Sequence, residues 1–179
     1  MTSTAVPSQV RFDSGPTLTA ALLVLIVATA TIAAAWFFQL VLGIQPCPLC
    51  LEQRYAYYAI IPLSLLVAIG AAKRAPQSLL LAGLVVIALA ALSNSAFGVY
   101  HAGVEWKLWQ GPTDCVGPIG NLGRAGNLWE RLDTVKVVRC DEVQWRFLGL
   151  SLAGYNALIS ALMAAIAAWG VVRATSRRA

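Results

Sequence analysis

The chain has 179 residues, room for one domain. It is 59% hydrophobic and only 12% charged, against roughly 25% charged residues in soluble domains, which excludes an ordinary soluble enzyme. The net charge of +5 does not signal nucleic acid, because the basic residues sit at the ends of apolar runs and nucleic-acid binding needs a basic face or stripe.

Four segments contain no Asp, Glu, Lys or Arg: 17–44, 55–72, 77–100 and 147–172. A helix crosses the hydrocarbon core with about 20 apolar residues, so each segment predicts a membrane span. Pro62 and Gly83 interrupt them at a level that membrane helices tolerate. The alternative for 17–44 is a signal peptide. Its apolar core would cover only about 7–15 residues, and this run is longer and leads straight into a cysteine motif.

Orientation follows from the short basic regions. Arg11 precedes the first span, Lys73 and Arg74 join the second and third, and Arg173, Arg177 and Arg178 follow the fourth. Four spans put these three regions on one side, read as cytoplasmic. The stretch 101–146 balances six basic residues against six acidic ones, as suits the exported side. It is too small to bury its own core and must lean on the bundle or the bilayer. Within it, Leu128, Trp129, Leu132 and Val135 keep helical spacing behind Asn127 as a possible cap. That pattern fits a short interfacial helix. A polar loop with scattered apolar residues fits it equally.

All four cysteines, Cys47, Cys50, Cys115 and Cys140, fall in the two exported loops. An oxidising compartment is where disulfides persist. Sequence proximity favours Cys47–Cys50 and Cys115–Cys140 among three possible pairings. Cys47-Pro48-Leu49-Cys50 is a C-x-x-C motif, whose small strained ring marks a labile or catalytic disulfide. It lies just before the second span, where a helix N-terminus favours a thiolate. Arg54 follows Cys50 by four residues, on the same helical face, and its guanidinium can stabilise a Cys50 thiolate. Alternatively Arg54 snorkels and only anchors the helix. Purely structural disulfides would make the chain a non-enzymatic four-helix scaffold. A zinc site is disfavoured, because no second close-spaced ligand pair accompanies the C-x-x-C; no metal is expected.

With these residues in hand, the chain closely resembles the DsbB family of disulfide bond formation proteins. The likeness rests on Trp36-Phe37-Phe38-Gln39, on Pro46-Cys47-Pro48-Leu49-Cys50 with Arg54, on Cys115, and on Cys140 followed by Gln144-Trp145-Arg146-Phe147-Leu148-Gly149-Leu150. It implies an all-α membrane protein, a four-transmembrane-helix bundle with two periplasmic loops at about 45–54 and 101–146, forming one domain over 1–179. It implies a bacterial inner-membrane setting with both termini cytoplasmic. The Cys115–Cys140 disulfide would take electrons from a soluble periplasmic DsbA-like oxidase of thioredoxin fold. Exchange would pass them to the Cys47–Cys50 pair. Cys50 would then act on a bound quinone, ubiquinone or menaquinone, with Cys47 as resolving thiol and Arg54 beside the quinone. Family members can also place a histidine near the quinone, at the top of the third helix. The one histidine here is His101. It stands either there or as an interfacial cap on the helix C-terminus.

Overall fold

The computed structural model describes residues 15–112 and 138–176. Four long helices dominate it: α1 (Gly15–Leu40), α2 (Pro48–Ala72), α3 (Gln77–Glu105) and α4 (Leu152–Ser176). All four are long and apolar enough to cross a bilayer. Each packs against its neighbours in a ring, with α1 beside α2 and α4, and α3 beside α2 and α4.

The bundle is built inside out relative to a soluble one. Ile26, Leu66, Leu79 and Val172 stand on its outer face, each more than half exposed. The interior packs Ile60, Leu84, Ile87 and Met163 among many small and polar side chains, including Ala20, Ala21, Ala28, Ser64, Asn94, Ser95, Ser160 and Ala167. Such a surface is stable only in lipid. Small residues let membrane helices approach closely, since dispersion and interhelical hydrogen bonds must hold them there. Two glycines show how close. A Cβ on Gly170 of α4 would lie 2.5 Å from Ala20 Cβ of α1. One on Gly98 of α3 would lie 3.0 Å from the Ala157 backbone of α4.

The helix limits depart from the charge-free runs. Helix α1 ends at Leu40 rather than 44, and Gly43 turns the chain with φ +68, where glycine carries no steric cost. Helix α2 begins at Pro48 rather than 55. Charged Glu52 and Arg54 lie in its first two turns, so a scan for charge-free sequence misses them. Helix α3 continues beyond residue 100 to Glu105. On the other side, 147–151 is not the start of α4. It belongs to a tight hairpin of β1 (Arg146–Phe147) and β2 (Leu150–Ser151), paired antiparallel. Leu148 (φ 49) and Gly149 (φ 82) turn it, a left-handed pair that a two-residue hairpin requires. Ser151 then opens α4, its Oγ accepting from Gly154 N–H at 3.2 Å, a capping bond. The candidate interfacial helix at 128–135 and Cys115 lie outside the described residues.

Candidate active site

The start of α2 sets the site. Cys47 is the N-cap, with extended backbone, and its Sγ accepts from Cys50 N–H at 3.3 Å. Pro48 occupies the first helical position, where its missing N–H costs nothing and its φ is already helical. The C-P-x-C order thus fixes both sulfurs on one turn. Both cysteines are free thiols, so the link expected between them is open in this structure. Their sulfurs are 2.9 Å apart, with Cys47 donating to Cys50. That hydrogen bond, and then burial, push the Cys47 thiol well above its ordinary pKa.

His101 faces this pair from α3. It is fully buried, and its Nε2 lies 3.6 Å from Cys47 Sγ. The helix runs on one turn past it, so His101 does not cap a C-terminus. Its Nδ1 accepts from Gln53 Nε2 at 3.1 Å, which places the imidazole proton on Nε2. The same ring hydrogen-bonds the main chain of Cys140. Cys140 is disulfide-bonded and packs with Cys47, Leu49 and Val138 in one buried cluster. The long loop thus returns onto the C-x-x-C.

Behind His101 a chain of hydrogen bonds descends into the bundle. Gln53 Oε1 accepts from Asn156 Nδ2 at 2.8 Å, and Asn156 Oδ1 accepts from Tyr57 OH at 2.6 Å. Asn94 Nδ2 donates to Ser160 Oγ at 2.9 Å, and Ser95 Oγ to Ala157 O at 2.9 Å. These bonds tie α2, α3 and α4 together at the level of the site.

Arg54 stands on the Cys50 side of the site and is anchored from a neighbouring helix. Among the described residues its guanidinium bonds α1, donating to Gln39 Oε1 at 2.7 Å and to Ala35 O at 3.4 Å. It also lies over the Trp36 ring, 5.3 Å from the centroid, a cation–π arrangement. So Arg54 is held in place by α1 rather than snorkelling freely.

A cavity of about 350 Å³ opens beside these groups. Ile32, Phe38, Trp145, Leu152 and Ile159 make its apolar wall, and Cys47, Cys50, Arg54, His101 and Glu105 its reactive and charged part. Glu105 accepts a hydrogen bond from Ser151 Oγ. At the outer rim, Asp141 accepts from Lys107 Nζ at 2.6 Å and from Arg139 Nε at 3.0 Å. Those two cations hold its carboxyl below the usual carboxylate range, and the Lys107 pair ties the loop next to Cys140 to the chain just after α3.

The structure therefore gathers Cys47, Cys50, Arg54 and His101 around one cavity and sets Cys140 against its edge. Gln53, Glu105 and Asn156 were not singled out as site residues from the sequence, and Gln39 was named there only within the stretch that carries the resemblance. The signal was present for Asn156, since amide side chains in apolar spans are rare and usually hydrogen-bond another helix; Gln53 fell in the stretch read as a loop.

A family model for disulfide bond formation protein DsbB matches residues 17–170. Three curated proteins named disulfide bond formation protein B are similar along most of their lengths. The Marinobacter nauticus protein is 30% identical over 164 residues, 87% of this chain and 92% of its own. That of Albidiferax ferrireducens is 29% identical over 159 residues, 82% and 83%. That of Nitrosococcus oceani is 31% identical over 148 residues, 79% and 83%. No solved structure matches the chain. With four membrane helices and this match over most of its length, the chain belongs to the DsbB family of disulfide bond formation membrane proteins.

Proposed function

We propose that this protein is a dithiol:quinone oxidoreductase of the bacterial inner membrane, reoxidising a DsbA-like thioredoxin-fold protein in the periplasm. The observation that carries this reading is the placement of a free, hydrogen-bonded thiol pair at a largely apolar cavity. A flat, lipid-soluble ring fits such a cavity. The wall of Phe38, Trp145 and Ile159 would hold the ring, Arg54 offers hydrogen-bond donors at its edge, and His101 stands behind the sulfurs. When bound, ubiquinone or menaquinone supplies an acceptor for two electrons and two protons.

The chain's own residues do the rest. The dithiol of the soluble partner is oxidised to a disulfide as its thiolate attacks the Cys115–Cys140 bond. The two loop thiols so formed reduce a Cys47–Cys50 disulfide in the same way, by thiolate attack on sulfur. Cys50 is the less buried of the two sulfurs at the cavity, so it is the one that gives up electrons toward the bound ring, with Cys47 as its resolving partner. Arg54, fixed by Gln39 and Trp36, supplies a positive charge that needs no reorganisation when negative charge develops. Two electrons leave the pair, the sulfurs join, and two thiol protons balance the charge. The periplasmic placement of the loops and the cytoplasmic placement of both termini belong to the same proposal, supported by Arg11, Lys73, Arg74 and Arg173.

The test is a coupled assay. Purified protein, a reduced thioredoxin-fold oxidase and a short-chain ubiquinone or menaquinone are mixed without oxygen, and quinone absorbance is followed. One quinone should be consumed per partner disulfide formed. No quinone consumption with either quinone would refute the assignment.

A further inference from the structure

We infer that the reduced site is also a binding site for a thiophilic divalent d10 cation such as Zn²⁺, held by Cys47, Cys50 and His101. The spacing of the cysteines alone argued against zinc, because a second ligand pair is missing from the sequence. The fold supplies the third ligand from α3, 54 positions from Cys47 in the chain. The three ligating atoms lie within 4.8 Å of one another.

The distances can be set against a tetrahedral site. Zn–S bonds of about 2.3 Å and Zn–N bonds of about 2.0–2.1 Å put sulfur and nitrogen about 3.6 Å apart, and two sulfurs about 3.8 Å apart. Cys47 Sγ and His101 Nε2 are already 3.6 Å apart. The sulfurs are at 2.9 Å and must open by about 1 Å. Cys50 is only half-buried and borders the cavity, so its side chain has room to swing. Cys47 Sγ already accepts the Cys50 N–H, and hydrogen bonds of this kind stabilise a sulfur that carries charge. The cavity leaves a fourth position for water.

The chemistry balances without electron transfer. Two S–H bonds break, two S–metal bonds form, and two protons leave. Two thiolates neutralise the divalent cation, which suits a site of low polarity. His101 must free its Nε2 lone pair and carry its proton on Nδ1, toward Gln53. The Gln53 amide then turns its oxygen to accept it, and the Asn156 amide turns with it so that its oxygen accepts from Gln53 while Tyr57 OH donates to Ser160; Gln53 is then the kind of outer partner that orients a metal-bound histidine. Such a cation occupies the sulfur electron pairs that a disulfide needs, so it would hold the pair reduced.

This site does not depend on the quinone reading, and its test contains no quinone. The full-length protein in detergent micelles is reduced, freed of reductant, and titrated with Cd²⁺ as the probe, following the cadmium–thiolate ultraviolet band. Separately, Zn²⁺ is added before alkylation, and protected cysteines are mapped by mass spectrometry. The expected result is one Cd²⁺ per reduced chain, none in the oxidised chain, and protection of Cys47 and Cys50 only. His101→Gln should weaken binding by more than about tenfold. Equal affinity in a folded His101→Gln variant would overturn the site. So would protection that falls on Cys115 and Cys140, or on no cysteine, in the unmutated protein. That mapping decides the matter even if the variant does not fold.

Discussion

Gln53 donates to His101 across 3.1 Å, from the second turn of α2 to the last turns of α3. This bond fixes which imidazole nitrogen faces Cys47. It also starts the line of amides and hydroxyls that runs through Asn156 to Tyr57. Replacing Gln53 by Leu removes both of its bonds and leaves Asn156 Nδ2 without that acceptor. Interhelical hydrogen bonds in membranes are modest, about 0.6 kcal/mol on average with a maximum near 1.7. Gln53→Leu should therefore cost about 1–2 kcal/mol of stability, read from unfolding in mixed micelles. It should also loosen His101 and lower quinone turnover. A variant with unchanged stability and turnover would remove Gln53 from the site.

Arg54 and Gln39 should act as a pair. Lysine keeps the charge but loses the planar fork of donors, so Arg54→Lys should raise the apparent KM for quinone with the fold intact, and Arg54→Ala should raise it further. Gln39→Leu removes the 2.7 Å bond that places the guanidinium and should give a milder form of the same defect. None of the three should slow single-turnover exchange between the reduced partner and the Cys115–Cys140 disulfide. Slowing of that step alone would mean that Arg54 serves the loop and not the cavity.

The four spans were legible in the sequence because burial in lipid imposes a long charge-free run on each. Their ends were less legible. Helix α2 starts within a charged segment, since Glu52 is exposed and Arg54 is hydrogen-bonded sideways to α1. Helix α3 carries His101 and Glu105 past its apolar run because both turn into the cavity rather than toward lipid. The cysteines and Arg54 could be found from local spacing. The pairing of His101 with Cys47 could not, because 54 positions separate them and only the packing of α2 against α3 joins them. Gln39 offered no local sign of its role, which exists only because α1 lies beside α2.

A close helix crossing sits beside the polar line. A Cβ on Gly98 meets the Ala157 backbone at 3.0 Å, and backbone cannot yield as a flexible side chain does. Gly98→Leu should push α3 from α4 and strain the Ser95–Ala157 bond. Overpacking of this kind costs about 1–3 kcal/mol. The check is the same micelle unfolding, with Gly98→Ala as the smaller step. If Gly98→Leu unfolds like the parent, the crossing is not as tight as described.

Topology can be checked by reporter fusions. Fusions at Lys73 and at the C-terminus should report cytoplasm, and a fusion at Gly120 should report periplasm. A cytoplasmic Gly120 fusion would undo the redox reading, since thiols there are kept reduced.

The most direct measurement is thiol trapping of Cys47 and Cys50 in the purified, fully reduced protein, without oxygen, before and after excess quinone, so that exchange with the loop thiols cannot leave the pair reduced. Trapped peptides are counted by mass spectrometry. If the pair delivers electrons to the cavity, quinone should convert Cys47 and Cys50 to the linked, unalkylated form within one turnover. Cys47→Ala should abolish that conversion. Thiols at Cys47 and Cys50 that stay open to alkylation with quinone present, while Cys115 and Cys140 alone become oxidised, would contradict the account.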